Sequence, residues 1–247
     1  MKSLIEPSLG DPEPILVSSQ IVIGTTKPVA QDLLCAECED LFSKNGEAWV
    51  SQIIARLGSF PLCYAVETCP KIKETPDLTL FACRGNAAIN IDKLAYFALS
   101  MFWRSSIVNW RAIANVPRIE LGEYEEPIRR FLRGEAAIPP DCVLIATLWT
   151  HQPSNLQVIL PAESHENQPF RIFSLKVPGI QIALLTGAEI PQDARNECMY
   201  SSSNQIIGVS GSIDMVLIKQ LQTNFHGAHR AAKIAAKYGD YLKGQSG

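Results

Sequence analysis

Residues 92–110 constrain the fold of this chain more than any other stretch. Leu94, Phe97, Ala98, Met101, Phe102, Ile107 and Val108 recur at helical spacing and leave few polar positions on any face. A helix that is apolar nearly all round must be wrapped by other elements, so it belongs at the centre of a core. Asn90 or Asp92 can cap its start. Arg104 lies inside the apolar run, and a buried guanidinium needs an acid. Glu125 is the expected partner in a structural ion pair.

The elements that could wrap this helix differ on its two sides. Upstream, Leu41, Phe42, Trp49, Ile53, Ile54 and Leu57 give residues 37–57 a helical period, which Asn45-Gly46 should kink or split. Residues 1–30 carry four prolines and read as an irregular arm with one short strand over 15–23. Residues 58–82 read as short strands and turns broken by Pro61, Pro70 and Pro76. Downstream, residues 123–133 form a second helix, with Tyr124, Ile128, Phe131 and Leu132 as its buried stripe. Glu125 and Arg129, like Glu126 and Arg130, are four apart in the favourable order, and Gly134 stops the helix.

After Pro139-Pro140 the texture changes. Residues 143–150, 156–160, 170–177 and 180–185 read as strands, with two more near Met199 and over 206–209. Helices over 213–221 and 226–242 close the chain. The expected class is α+β, with a helix-rich part over 1–140 and a β-rich part over 141–247, either as two units or as one continuous domain. A length of 247 residues, 47% of them hydrophobic, supplies a substantial core for either arrangement.

Charge and composition narrow the function. The net charge is -3 and the sequence pI about 5.8, so the chain lacks the global basic character of a duplex-gripping protein. No uninterrupted apolar stretch reaches the length of a membrane span, and no secretory leader is visible. The expectation is a cytoplasmic protein without a membrane partner. Phosphate-binding loops, Gly-x-Ser-x-Gly and His-Glu-x-x-His are missing from the sequence. Gly208, Gly211 and Ser212 resemble a phosphate loop only superficially, since no Lys follows, and they read as a strand end and helix cap. No catalytic residue can be assigned, and an unrelated enzyme site around His151 or His165 has no constellation to support it.

Cysteine carries the one chemically pointed motif. Seven cysteines, an odd number, argue against a disulfide framework, and five of them fall between residues 35 and 83. Cys35-x-x-Cys38 stands at the head of a helix, where two thiolates at this spacing can reach one zinc ion from a tight turn. The same pair can equally be two ordinary turn cysteines. A structural zinc takes four ligands, and Cys63, Cys69 and Cys83 are the candidates to complete the set, although their spacing is poor for a second knuckle. On the last helix His226 and His229 share a face with Arg230, Lys233 and Lys237. Residues 219–243 hold five basic residues against Asp240, a local basic patch that could contact DNA or RNA or simply be solvated.

Three blocks carry a resemblance. The first comprises Leu33, Leu34, Cys35, Cys38, Glu39, Phe42, Ser43, Lys44, Gly46, Glu47, Trp49 and Val50. The second runs from Tyr96 through Trp103-Arg104, and the third from Leu121-Gly122 to Phe131-Leu132. In order and spacing over residues 30–140 they are similar to a group of bacterial proteins labelled HNH-endonuclease-like. The resemblance implies a treble-clef zinc site with two knuckles, nucleic-acid interaction, and a metal-dependent nuclease whose general base is a His. The upstream Cys-x-x-Cys and the His segment of longer members have no counterpart here, and the first His is His151. The expectation is therefore a shortened or degenerate HNH-like relative that binds nucleic acid without cutting it, with Cys35 and Cys38 as the surviving zinc half-site. The alternative is a non-enzymatic structural or interaction protein, with a structural metal or none, whose knuckle fastens the N-terminal arm and whose β-rich half carries a partner surface.

Overall fold

The computed structural model describes residues 15–17, 22–24, 33–55, 59–108, 118–150, 160–167, 169–200 and 203–211. The expected central helix is α4 (Ile91–Ile107), capped by the Asn90 side chain, which accepts a hydrogen bond from the Lys93 amide at 2.9 Å. Every residue from Leu94 to Ser106 is buried. Its serines satisfy themselves without outside partners. Ser100, Ser105 and Ser106 donate to the carbonyls of Phe97, Met101 and Trp103, each at 2.8 Å, so polar side chains survive on a wrapped helix.

Ahead of it, α1 (Ala36–Phe42), a π-helical turn (Ser43–Glu47) and α2 (Ala48–Ile53) form one run that crosses α4. The expected break at Asn45-Gly46 is this π turn. Residues 61–67 correct the reading of strands and turns, because α3 (Pro61–Glu67) is helical. Pro61 sits in the first turn, where its missing N–H costs nothing and its fixed φ favours entry, so it starts the helix rather than breaking it. α5 (Glu125–Leu132) follows a 3-10 turn, and Gly134 takes φ +73° beyond its end. On its surface Arg129 grips Glu126 in a fork at 2.6 and 2.7 Å. That three-apart pair replaces the expected four-apart one.

The strands are β1 (Ile15–Val17), β2 (Val22–Gly24), β3 (Lys71–Glu74), β4 (Thr79–Ala82), β5 (Cys142–Trp149), β6 (Leu160–Asn167), β7 (Phe170–Val177), β8 (Ile180–Thr186) and β9 (Ile206–Ser210). β1 and β2 pair antiparallel, so the single strand expected over 15–23 is a small hairpin. The other strands make a sheet ordered β3-β4-β9-β5-β8-β7-β6, antiparallel throughout except for β5 beside β9. β3 and β4 precede Pro139, yet β4 bonds to β9 across residues 79–82. Strands from both sides of that proline therefore share one sheet.

The expected strand near Met199 is instead a turn after the short helix α6 (Gln192–Asn196). Met199 is buried there and donates its amide to the Leu144 carbonyl at 2.8 Å. Most of the stretch expected as a strand over 156–160, and the closing helices over 213–221 and 226–242, lie outside the described residues. The protein is an α+β fold. The sheet meets α4 through Phe173 on β7, whose ring lies 6.5 Å from that of Phe102. Each such fully buried ring contributes about 1.5–3 kcal/mol of apolar transfer.

The helical run is tied to the sheet at one turn. Pro178-Gly179 joins β7 to β8, and Gly179 has φ +77°. The Ala55 amide donates to the Pro178 carbonyl at 3.1 Å, and the Trp149 amide donates to the Gly179 carbonyl at 3.0 Å. A Cβ on Gly179 would come within 2.6 Å of the Ala55 Cβ and 2.7 Å of the Phe60 ring, so only glycine fits there.

Candidate functional site

Cys35 is the N-cap of α1, in extended conformation (φ -71°, ψ 162°), and its carbonyl accepts the Glu39 amide at 3.0 Å. The Cys35 thiol is exposed and Cys38 is partly buried one turn on. The Cys35 sulfur closes no full capping hydrogen bond. The Cys38 amide and then the Cys38 thiol nevertheless lie close enough to hold the Cys35 thiol below its ordinary value. Cys38 moves the other way, raised first by the adjoining Cys35 thiol and then by burial, while Arg133 at the end of α5 opposes the shift. The pair is thus split into an exposed thiol of lowered pKa and a partly buried one of raised pKa.

The other candidate ligands sit elsewhere. Cys63 is buried in α3, where desolvation and the nearby Glu67 push its thiol up to about 12. Cys69 accepts from Asn86 Nδ2 at 3.2 Å and adjoins Cys83, whose thiol burial pushes up to about 12. Among the described residues, no three His, Cys, Asp or Glu side chains gather closely enough to hold a metal ion. Cys35 and Cys38 are thus two thiols that Cys63, Cys69 and Cys83 do not join. The described donor set does not fit a closed four-ligand site. The basic residues Arg230, Lys233 and Lys237, together with His226, His229 and His151, lie outside the described residues. His165 falls on β6.

The three resembling blocks meet around Glu47, a residue that the sequence reading did not single out for a role. Arg104 pairs with Glu47 through Nη1 and Oε1, with both side chains buried. The expected partner, Glu125, is not used. The Arg104 guanidinium also stacks 4.8 Å over the Phe42 ring. Phe42 in turn meets Tyr96 and Trp103 edge-on at 5.8 and 6.1 Å. The Tyr96 hydroxyl donates to the Leu132 carbonyl at 2.6 Å, bringing in the third block. Gly46 lets the two helices touch, because a Cβ there would lie 2.9 Å from the Phe97 amide nitrogen. The π turn places Phe42, Gly46 and Glu47 together against α4. Arg104 Nε and Nη2 and Trp103 Nε1 are buried and find no hydrogen-bond acceptor among the described residues. The one signal in the sequence that could have found Glu47 was its place in a helical run facing a helix with a buried Arg.

A groove of about 430 Å³ opens where β3, β4 and β9 meet, lined in part by Glu67, Lys71, Glu74, Asp77, Phe81 and Thr150. Lys71 is held by Glu74 at 2.9 Å with both side chains well exposed. Among the described residues, its lining includes no His or Cys. No family model matches the chain, and neither a curated protein nor a solved structure matches it.

Proposed function

We propose that this chain is a non-enzymatic structural and interaction protein. In it the block from Cys35 to Val50 serves as a packing element rather than a nuclease motif. One observation supports this above others. Phe42, Gly46 and Glu47 face inward, onto Phe97, Trp103 and Arg104 of α4. Residues so spent cannot also meet a phosphodiester. The sheet of the β-rich half is left to carry the partner surface.

The experiment is a cleavage assay on the full chain with plasmid DNA and single-stranded RNA, in magnesium, manganese and zinc separately. The expected result is no cleavage above buffer. Metal-dependent cleavage that disappears in folded Cys35→Ser and Cys38→Ser variants would overturn the proposal.

A second reading is an HNH-like protein that binds nucleic acid without cutting it. It is favoured by the way three separated sequence blocks assemble into one helical unit around Arg104, which is what a unit inherited whole would do. Its test is retention on a DNA column that weakens steeply with salt. Passage through the column at low salt eliminates it.

A further inference from the structure

We propose that Cys35 and Cys38 form a redox-active dithiol that exchanges with low-molecular-weight disulfides, Cys35 attacking and Cys38 resolving. This does not depend on the interaction reading above. The sequence offers the pair as zinc ligands, but its placement suits another chemistry. Cys35 is exposed at the helix cap, while Cys38 is only partly exposed and adjoins it. Attack from outside therefore falls first on Cys35, the more exposed of the two, and the second thiol waits beside it.

The spacing permits the bond. On a helix of about 2.3 Å radius, Cα atoms three residues apart lie about 5 Å from one another, and a disulfide needs a Cα separation of about 4.4–6.8 Å. The extended backbone of Cys35 leaves its side chain outside the helical turn, free to swing toward Cys38. Cys63, Cys69, Cys83, Cys142 and Cys198 are all buried and do not compete for an external disulfide. Charged neighbours are Glu37 beside Cys35 and Arg133 beside Cys38, with the Tyr96 hydroxyl also near Cys38.

The exchange balances without a further reagent. The Cys35 thiolate attacks one sulfur of a disulfide RSSR, forming a mixed disulfide and expelling RS⁻, which takes up the proton that Cys35 lost. Cys38 then loses its proton and attacks the Cys35 sulfur, closing the Cys35–Cys38 bond and releasing the second RSH. Two electrons pass from the dithiol to RSSR, giving two RSH.

The test uses the full chain and glutathione disulfide. Reduced protein is equilibrated in glutathione buffers of graded ratio, quenched by alkylation, and mapped by mass spectrometry. The wild type should form a Cys35–Cys38 disulfide in a reversible titration. Cys38→Ser should accumulate a glutathione adduct at Cys35, and Cys35→Ser should leave Cys38 unmodified over the same time. Circular dichroism establishes that each variant is folded. The proposal is overturned if folded Cys38→Ser takes up no glutathione at Cys35, or if Cys35 and Cys38 stay reduced in excess glutathione disulfide. One zinc per chain that is lost in both variants and shields the thiols would also overturn it, in favour of the metal site.

Discussion

Replacing Glu47 by Gln keeps the volume of the side chain and removes its charge, leaving the Arg104 guanidinium buried without a counter-ion. Breaking one side of such a pair costs about 3–5 kcal/mol. Among the described residues Arg104 is already short of acceptors, since Nε and Nη2 find none there, so the site holds little slack. With a urea slope of about 2 kcal/mol per molar, a loss of 4 kcal/mol moves the unfolding midpoint down by about 2 M. The informative companion is Glu47→Leu combined with Arg104→Met, which removes both charges. Because it also removes the orphaned donors, the double variant should recover most of the loss and lie within about 2 kcal/mol of wild type or above it. The assay is equilibrium urea unfolding followed by tryptophan fluorescence and circular dichroism, with equal slopes required for comparison. A Glu47→Gln loss under about 1 kcal/mol would refute the buried-pair account. A double variant worse than the sum of its single changes would do the same.

Three further outcomes are expected. Gly46→Ala gains helix propensity worth about 1 kcal/mol, yet its Cβ would press on the Phe97 backbone at 2.9–3.0 Å. The net should be a loss of about 1–3 kcal/mol in the same unfolding assay, and a stabilised variant would contradict the close helix contact. Gly179→Ala meets both a positive φ and contacts of 2.6–2.7 Å, so it should lower the melting temperature more than Gly85→Ala, which has a positive φ but open space. Finally, Cys63, Cys83 and Cys142 stay protonated in the folded state up to about pH 12, against an ordinary value of 9.0. Their folded pKa values are raised. The stability they contribute is thus complete below pH 9 and lost as pH rises toward 12. A melting temperature that does not fall over that window would tell against their burial as neutral thiols.

The parts of the fold that were legible in the sequence are those fixed by local period. α4 announces itself through its apolar residues and the Asn90 cap. β5, β7 and β8 are short apolar runs bounded by Pro, Gly and Ser. The missed elements share a cause, which is that local chemistry points one way and position the other. Pro61 looks like a breaker until it falls in a first helical turn, where it helps. β6 reads Leu160, Pro161, Ala162, Glu163, Ser164, His165, Glu166 and Asn167, too polar to signal a strand, and it is held at the sheet edge by its pairing with β7. The partner of Arg104 was misjudged because the choice between Glu125 and Glu47 is made by how two helices cross, 57 residues apart in sequence. At the Cys pair, spacing alone left zinc and plain turn open, and the difference in exposure between Cys35 and Cys38 is set by the fold around them, which no spacing rule carries.

The π turn at Ser43–Glu47 also sets the phase of everything around it. A π bulge carries one residue more than the α-helix it interrupts, and one residue is about 100° of rotation. The wider turn absorbs that residue, so the sequence periods of the helix bearing Cys35 and Cys38 and of α2 differ by one position, and α4 is gripped across the discontinuity. Deleting a single residue there, Asn45 for instance, would turn the run into one straight α-helix. Closing that widened turn would change the spacing at which Phe42, Gly46 and Glu47 meet Phe97, Trp103 and Arg104. Insertions and deletions in homologous chains should accordingly avoid residues 43–47 and collect in the loops on either side.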